Sequence, residues 1–460
     1  MLRTVTPPEP PLSAGNRPGP GAEAPAGPTT TAAPRWKQLL AVLSLALSLL
    51  LWLNGLIDSL SRPSVGNDLN RRQLELALLA EPSLPPQVRP LISGQQPRQA
   101  LNDALAEEIR RGAESGSPAP ASLQLLHSGL ELQLGGDDQR ARLPLEQLLG
   151  QAGTSRSRET RLADALLQPG AAEVRAESRQ AAGQLLAITV LPALVLLIGV
   201  ALLLRELWQR WRGRGAPAAA LQGPALSGLD AVLLIAGGFV VVGELLTPLL
   251  VGPALQALLR AEAIASPLRE GISVLGLYLA LMAGPLLILT LQLRGLGTAP
   301  EGGWLQFRWL PLGSALRRAL RTLLMVLPLV SLAGWLQGQL WTDASGSNPL
   351  LELVLNSHNG PALACFGITA VVLAPLFEET IFRGVLLPVA ARELGAPWGV
   401  VLSALVFAVA HLSLGELVPL LMLGLGLGWL RWSGGRLSSC VLMHALWNGL
   451  TFANLVLLGW

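Results

Sequence analysis

The chain has 460 residues, of which 51% are hydrophobic and only 14% charged, with a mean hydropathy of +0.48. That composition excludes an ordinary soluble domain and points to a polytopic membrane protein. The formal net charge of +3 is small for the length, and the arginines fall in short clusters beside apolar runs, which argues against a nucleic-acid surface and for residues that set topology.

Residues 1–34 are rich in Pro, Gly, Ala and Thr and lack hydrophobic periodicity, so a disordered tail is expected there. The first apolar run, 39–57, comes late and is followed by no small-residue cleavage site, which makes 35–60 an uncleaved transmembrane anchor. Arg35 and Lys37 precede it and place the N-terminus in the cytoplasm. Residues 61–183 are the one sizeable soluble region. RQALNDALAEEIRRGA and PLEQLLGQ repeat apolar residues at helical spacing, whereas SLQLLHSGLELQL alternates as a short hairpin would. A small, mostly helical extracytoplasmic domain is expected from this pattern, with no evident chemistry; His127 is expected to be structural or solvated.

A second transmembrane helix and an Arg-rich cytoplasmic loop occupy 184–229. Apolar runs at 185–204, 230–251, 272–293 and 320–340 each approach the roughly 20 residues a spanning helix needs. Arg205, Arg210, Arg212 and Arg214 follow the first of these, and Arg294, Arg308, Arg317, Arg318 and Arg321 cluster further on, while 341–360 holds no Lys or Arg. Alternation from a cytoplasmic N-terminus puts both Arg-rich loops inside, as the positive-inside rule requires; Arg260 and Arg269 run against it. Glu244 lies mid-run, either facing a cavity or, the simpler expectation, bonded to a neighbouring helix. A segment at 361–394, interrupted by Pro375 and Pro388, ends at Gly395-Ala396-Pro397, and helices at 398–413, 416–432 and 437–458 come after it. The fold class is therefore an all-α polytopic membrane protein of about nine transmembrane helices, with the soluble domain between the first two. Cys365 and Cys440 are expected to be packed thiols, in neither a disulfide nor a thiolate metal site.

Phe377–Gly384, FEETIFRG, sets Glu378, Glu379 and Arg383 in an almost wholly apolar segment. Carboxylates are costly in a bilayer, so the default expectation is a functional site. Glu379 and Arg383 are four apart and can pair on one helix face. Glu378 projects about 100° away and is free to act as a base. His444 and Asn448 also share a face, and His411 stands four residues after Phe407. At ~1.5 Å per residue, Glu378 and His411 rise to about 25 and 21 Å across the Gly395 turn, while His444 comes out about 10 Å lower. Glutamate can take a proton from water, histidine can orient that water or ligate a metal, and histidine and asparagine can donate to an oxyanion. The alternative for any single group is helix-to-helix glue.

EETIFRG, then FAVAH (Phe407 to His411), then HALWN (His444 to Asn448) resemble the three motifs EExxxR, FxxxH and HxxxN of the CPBP intramembrane proteases, which include CAAX prenyl endopeptidases and bacterial Abi-type proteins. The resemblance covers about 230–460, a protease-like core. It implies a membrane-embedded peptidase in which Glu378 activates water with help from His411, His444 and Asn448 stabilise the oxyanion or hold a metal, and Glu379 with Arg383 supports the site. Both zinc-type and metal-independent glutamate chemistry are described for such proteins. Glu378, His411 and His444 would complete a three-ligand Zn2+ site, although no HExxH pair is present. The implied partners are a membrane-associated protein or peptide substrate, prenylated or not, and the lipid bilayer. A non-proteolytic scaffold that keeps the fold to bind a membrane partner is the competing class. Transport is disfavoured, because no paired, interrupted helices occur in two matching halves.

Overall fold

The structure, a computed structural model, describes residues 33–61, 65–87, 89–92, 96–114, 116–151, 157–214, 221–340 and 346–459. The tail expected at 1–34 thus lies, but for its last two residues, outside the described residues. Regular structure among the described residues is helical throughout. Helices of eight residues or more are numbered in chain order: α1 (Arg35–Ser59), then α2 (Val65–Ala80), α3 (Pro97–Glu114), α4 (Ala121–Leu134), α5 (Asp138–Gly150) and α6 (Arg158–Leu167). Next come α7 (Ala172–Trp211), α8 (Gly228–Ala261), α9 (Leu268–Arg294) and α10 (Leu312–Leu340). The remainder are α11 (Pro349–Asn356), α12 (Gly360–Leu394), α13 (Ala396–Val409), α14 (Leu417–Gly434) and α15 (Leu437–Gly459).

Eight of these, α1, α7, α8, α9, α10, α12, α14 and α15, are long and apolar enough to cross a membrane. Their outward side chains are exposed leucines, such as Leu49, Leu50 and Leu197, which water would not tolerate in such number. The protein is an integral, multi-pass membrane protein. The ninth expected span, α13, is apolar but has only 14 residues. At ~1.5 Å per residue it covers about 21 Å, short of the ~30 Å hydrocarbon core.

The segment expected as a hairpin is instead the helix α4. Leu123, Leu126 and Leu130 recur at spacings of three and four and are buried against α5, and this stripe outweighs the local alternation. The helices of the 65–167 region do not form a core of their own. Leu101, Leu126, Leu145 and Leu162 belong to one apolar cluster that continues into Leu355, Phe366, Leu455 and Leu458 at the ends of α11, α12 and α15. Polar clamps hold the junction. Arg72 donates to the Leu355 carbonyl at 3.0 Å and to Asn356 Oδ1 at 2.5 Å, and Arg158 donates to the Leu458 carbonyl.

α12 stays continuous through both prolines by widening. π-helical turns at Ile368–Leu373 and Thr380–Leu386 precede Pro375 and Pro388 closely. Proline offers no N–H and crowds the carbonyl one turn back, and an i→i+5 pattern accommodates both defects without breaking the helix. The chain then reverses at Gly395, whose φ of 85° suits a residue without Cβ, and α13 returns antiparallel to α12.

Candidate active site

The site is built where α12, α13 and α15 meet. Arg383 and Glu379 are fully buried, with Arg383 Nη1 2.7 Å from Glu379 Oε1, as their spacing predicts. Arg383 also donates from Nη2 to the Gly424 carbonyl of α14 at 3.2 Å, and its guanidinium carbon stands 4.3 Å from the Phe407 ring centroid. Gly424 also lets α14 pack closely on α13: a Cβ there would meet Ala404 Cα and Cβ at 3.0 Å.

His444 is the first departure from expectation. Counted at 1.5 Å per residue it should lie well below Glu378, yet its Nδ1 is 3.0 Å from Glu379 Oε1 and its Nε2 is 4.0 Å from Glu378 Oε2. The π-helical turns after Glu379 pack more residues into each turn and account for part of that difference; a residue count also leaves out helix tilt and unequal turn depths. Glu379 therefore serves two partners, Arg383 along its own helix and His444 across to α15. A carboxylate accepts, so His444 carries its proton on Nδ1 toward Glu379 and turns Nε2 to Glu378.

Glu378, on the other face of α12, accepts a hydrogen bond on Oε1 from the Tyr278 hydroxyl of α9 at 3.3 Å. Its Oε2 is buried with no hydrogen-bond partner among the described residues. His411, just beyond α13, lies within 2.8 Å, through Nδ1, of the Phe407 carbonyl. A carbonyl only accepts, so Nδ1 holds the proton and Nε2 is left as an acceptor. The Phe407 ring packs edge-on against both His411 and His444, with centroids 4.7 and 5.6 Å away. No direct hydrogen bond joins His411 to Glu378 among the described residues. Asn448 donates through Nδ2 to the Ala370 carbonyl at 2.7 Å, in the first π-helical stretch of α12.

Glu378, His411, His444 and Asn448 all face one cavity of about 620 Å³, otherwise walled mainly by apolar side chains from α8, α9, α11, α14 and α15. Glu379 and Arg383 stand behind it. The trio Glu378, His411 and His444 does not gather into a metal-holding group: among the described residues no three His, Cys, Asp or Glu side chains stand close enough to hold an ion. The residues as placed therefore do not fit the three-ligand zinc set.

Tyr278 and Glu244 are two polar cavity residues, outside the three motifs, that make side-chain hydrogen bonds at its wall. Tyr278 is the one tyrosine of the chain, set within an apolar helix where a lone polar-tipped aromatic was the available signal. Glu244 satisfies both of its expected roles at once: it lines the cavity, and its Oε2 accepts from Trp52 Nε1 of α1 at 3.0 Å.

Residues 360–450 match the family described as Type II CAAX prenyl endopeptidase Rce1-like. This stretch is an Rce1-like domain. The Rce1-like domain is about a fifth of the chain and contains all three motifs, whereas Glu244, Tyr278 and the whole of α11 lie outside it. Residues 66–194 match a domain of unknown function, DUF8675, which takes in α2 to α6 and the first half of α7. No curated protein and no solved structure matches the chain.

Proposed function

We propose that the protein is an intramembrane endopeptidase that hydrolyses peptide bonds of membrane-associated protein or peptide substrates with a glutamate-activated water. The observation that carries this reading is the state of Glu378, which lines a large apolar-walled cavity: one carboxylate oxygen is held, and the other, Oε2, is buried beside His444 with no hydrogen-bond partner among the described residues. A buried acceptor without a partner is costly unless something polar, water or substrate, completes it.

In this reading Glu378 Oε2 takes a proton from water as the water oxygen bonds to the scissile carbonyl carbon. The C=O π electrons move to oxygen, and the resulting oxyanion is met by donors from the α15 face: the second amide N–H of Asn448, and His444 as imidazolium, with Nδ1–H on Glu379 and Nε2–H toward the oxyanion. Glu379 and Arg383 fix the His444 ring from behind. The proton on Glu378 then passes to the leaving nitrogen as the C–N bond breaks, which regenerates the carboxylate. His411, with Nε2 free to accept, orients the water or the substrate amide from the opposite wall. The N-terminus and the Arg-rich loops lie on the cytoplasmic side, by the positive-inside rule.

The test is cleavage of membrane-associated substrates by purified protein. Glu378→Gln and His411→Ala should each lower turnover by about 100-fold or more, the scale of losing a general base or its helper, while the protein accumulates normally. Wild-type turnover in either variant would sink the proposal. Loss of cleavage with the cellular phenotype intact would favour the scaffold instead.

A further inference from the structure

We propose that Tyr278 is a positioning residue for Glu378: its hydroxyl holds Oε1 and thereby makes Oε2 the oxygen that takes the proton. This inference rests on the peptidase reading for its catalytic consequence, but the contact itself is independent of that reading.

The two oxygens of an ionised glutamate are chemically equivalent, and the terminal torsion is soft and two-fold, so a lone glutamate does not present a single basic atom. Here the symmetry is broken. The Tyr278 hydroxyl lies 3.3 Å from Oε1, and Oε2 is left buried, with no hydrogen-bond partner among the described residues, 4.0 Å from His444 Nε2. The tyrosine ring is itself fixed edge-on against Phe377, the residue preceding Glu378, with centroids 6.4 Å apart and planes at 89°. Phe377 is in turn packed on Phe239 of α8 at 5.8 Å. A chain of aromatic contacts from α8 and α9 thus sets where the hydroxyl points. Phenylalanine at 278 would keep the packing and lose only the hydroxyl.

The position also explains why the Rce1-like segment by itself does not specify the base. The stretch 360–450 supplies both histidines and both glutamates, but the group that chooses between the Glu378 oxygens comes from α9, outside it. Tyr278 lines the same cavity as Glu378, so the hydroxyl acts at the cavity wall and not through the helix behind it.

Two measurements test the assignment. In the first, Tyr278→Phe is assayed for cleavage: kcat should fall about 10- to 100-fold, the usual effect of removing a supporting partner, with KM and melting temperature within about two-fold and a few degrees of the wild type. A wild-type kcat, or a change confined to KM, overturns the proposal. The second uses the fact that the chain has one tyrosine. Biosynthetic replacement by 3-fluorotyrosine gives a single 19F resonance, which should move in Glu378→Gln and stay in place in Glu107→Gln, an exposed position in α3. A resonance indifferent to Glu378→Gln overturns the contact. If the wild type cleaves nothing, the peptidase reading fails, and the 19F result still decides whether Tyr278 holds Glu378.

Discussion

Arg383 answers three neighbours at once: the Glu379 carboxylate, the Gly424 carbonyl and the face of Phe407. Its removal would leave Glu379 a buried carboxylate held only by His444. The expected cost for Arg383→Ala is about 3–5 kcal/mol, the range for breaking a buried pair from one side. Arg383→Lys should fall between the two, because an ammonium cannot span carboxylate and carbonyl together. Thermal unfolding in detergent checks this; an unchanged midpoint for Arg383→Ala would mean the pair is idle. The Glu379–Arg383 pair was legible because both partners lie on one helix four residues apart. The Glu379–His444 contact was not, since depth across separate helices depends on tilt and on the π-helical turns, which no residue count registers. Asn448 shows the same limit. Its motif promised an oxyanion donor, and the fold already engages its amide at the Ala370 carbonyl, so it joins α15 to α12 as well as facing the cavity.

At the scale of elements, the spans were legible because length and apolarity alone define a membrane helix. The shortness of α13 was hidden by the apolar residues that continue its run beyond Val409. The α4 hairpin expectation failed because a dozen residues can satisfy a period of two and a period near 3.6 together, and burial against α5 decides between them. The crossing of α13 and α14 turns on Gly424. Gly424→Leu would drive a side chain into the Ala404 backbone and push the Gly424 carbonyl away from Arg383. Overpacking of this kind costs about 1–3 kcal/mol. Activity should fall alongside the melting temperature, although residue 424 does not line the cavity; a variant with wild-type stability and activity would show that the crossing tolerates separation.

For the whole molecule, the feature that composition could not disclose is that the helices of 65–167 and the membrane core share one apolar cluster. The sequence pattern separates 61–183 from 230–460, but Arg72 and Arg158 reach from α2 and α6 to backbone carbonyls at the ends of α11 and α15. α11 joins the two: Leu355 lies in the shared cluster, while Leu350, Leu351 and Val354 line the cavity. Replacing Arg72 and Arg158 together with alanine should speed amide hydrogen exchange in α2 and α6 and leave α14 unchanged, as measured by mass spectrometry. Equal protection in the variant and the wild type would show that apolar packing alone holds the junction.

The hydrogen bond between Trp52 and Glu244 imposes an order in time. The two residues are 192 positions apart. At the usual pace of about 5–20 residues per second, roughly 10–40 s of synthesis separate them. Throughout that interval α1 has been made and α8 has not, and α2 to α7 are produced in between. A carboxyl group in the bilayer without a donor is expensive, and the donor that meets Glu244 in the finished fold is the one made first, on α1. The first helix is therefore more than an anchor for the later ones: it supplies a polar partner to a cavity wall whose other helices are made only after it.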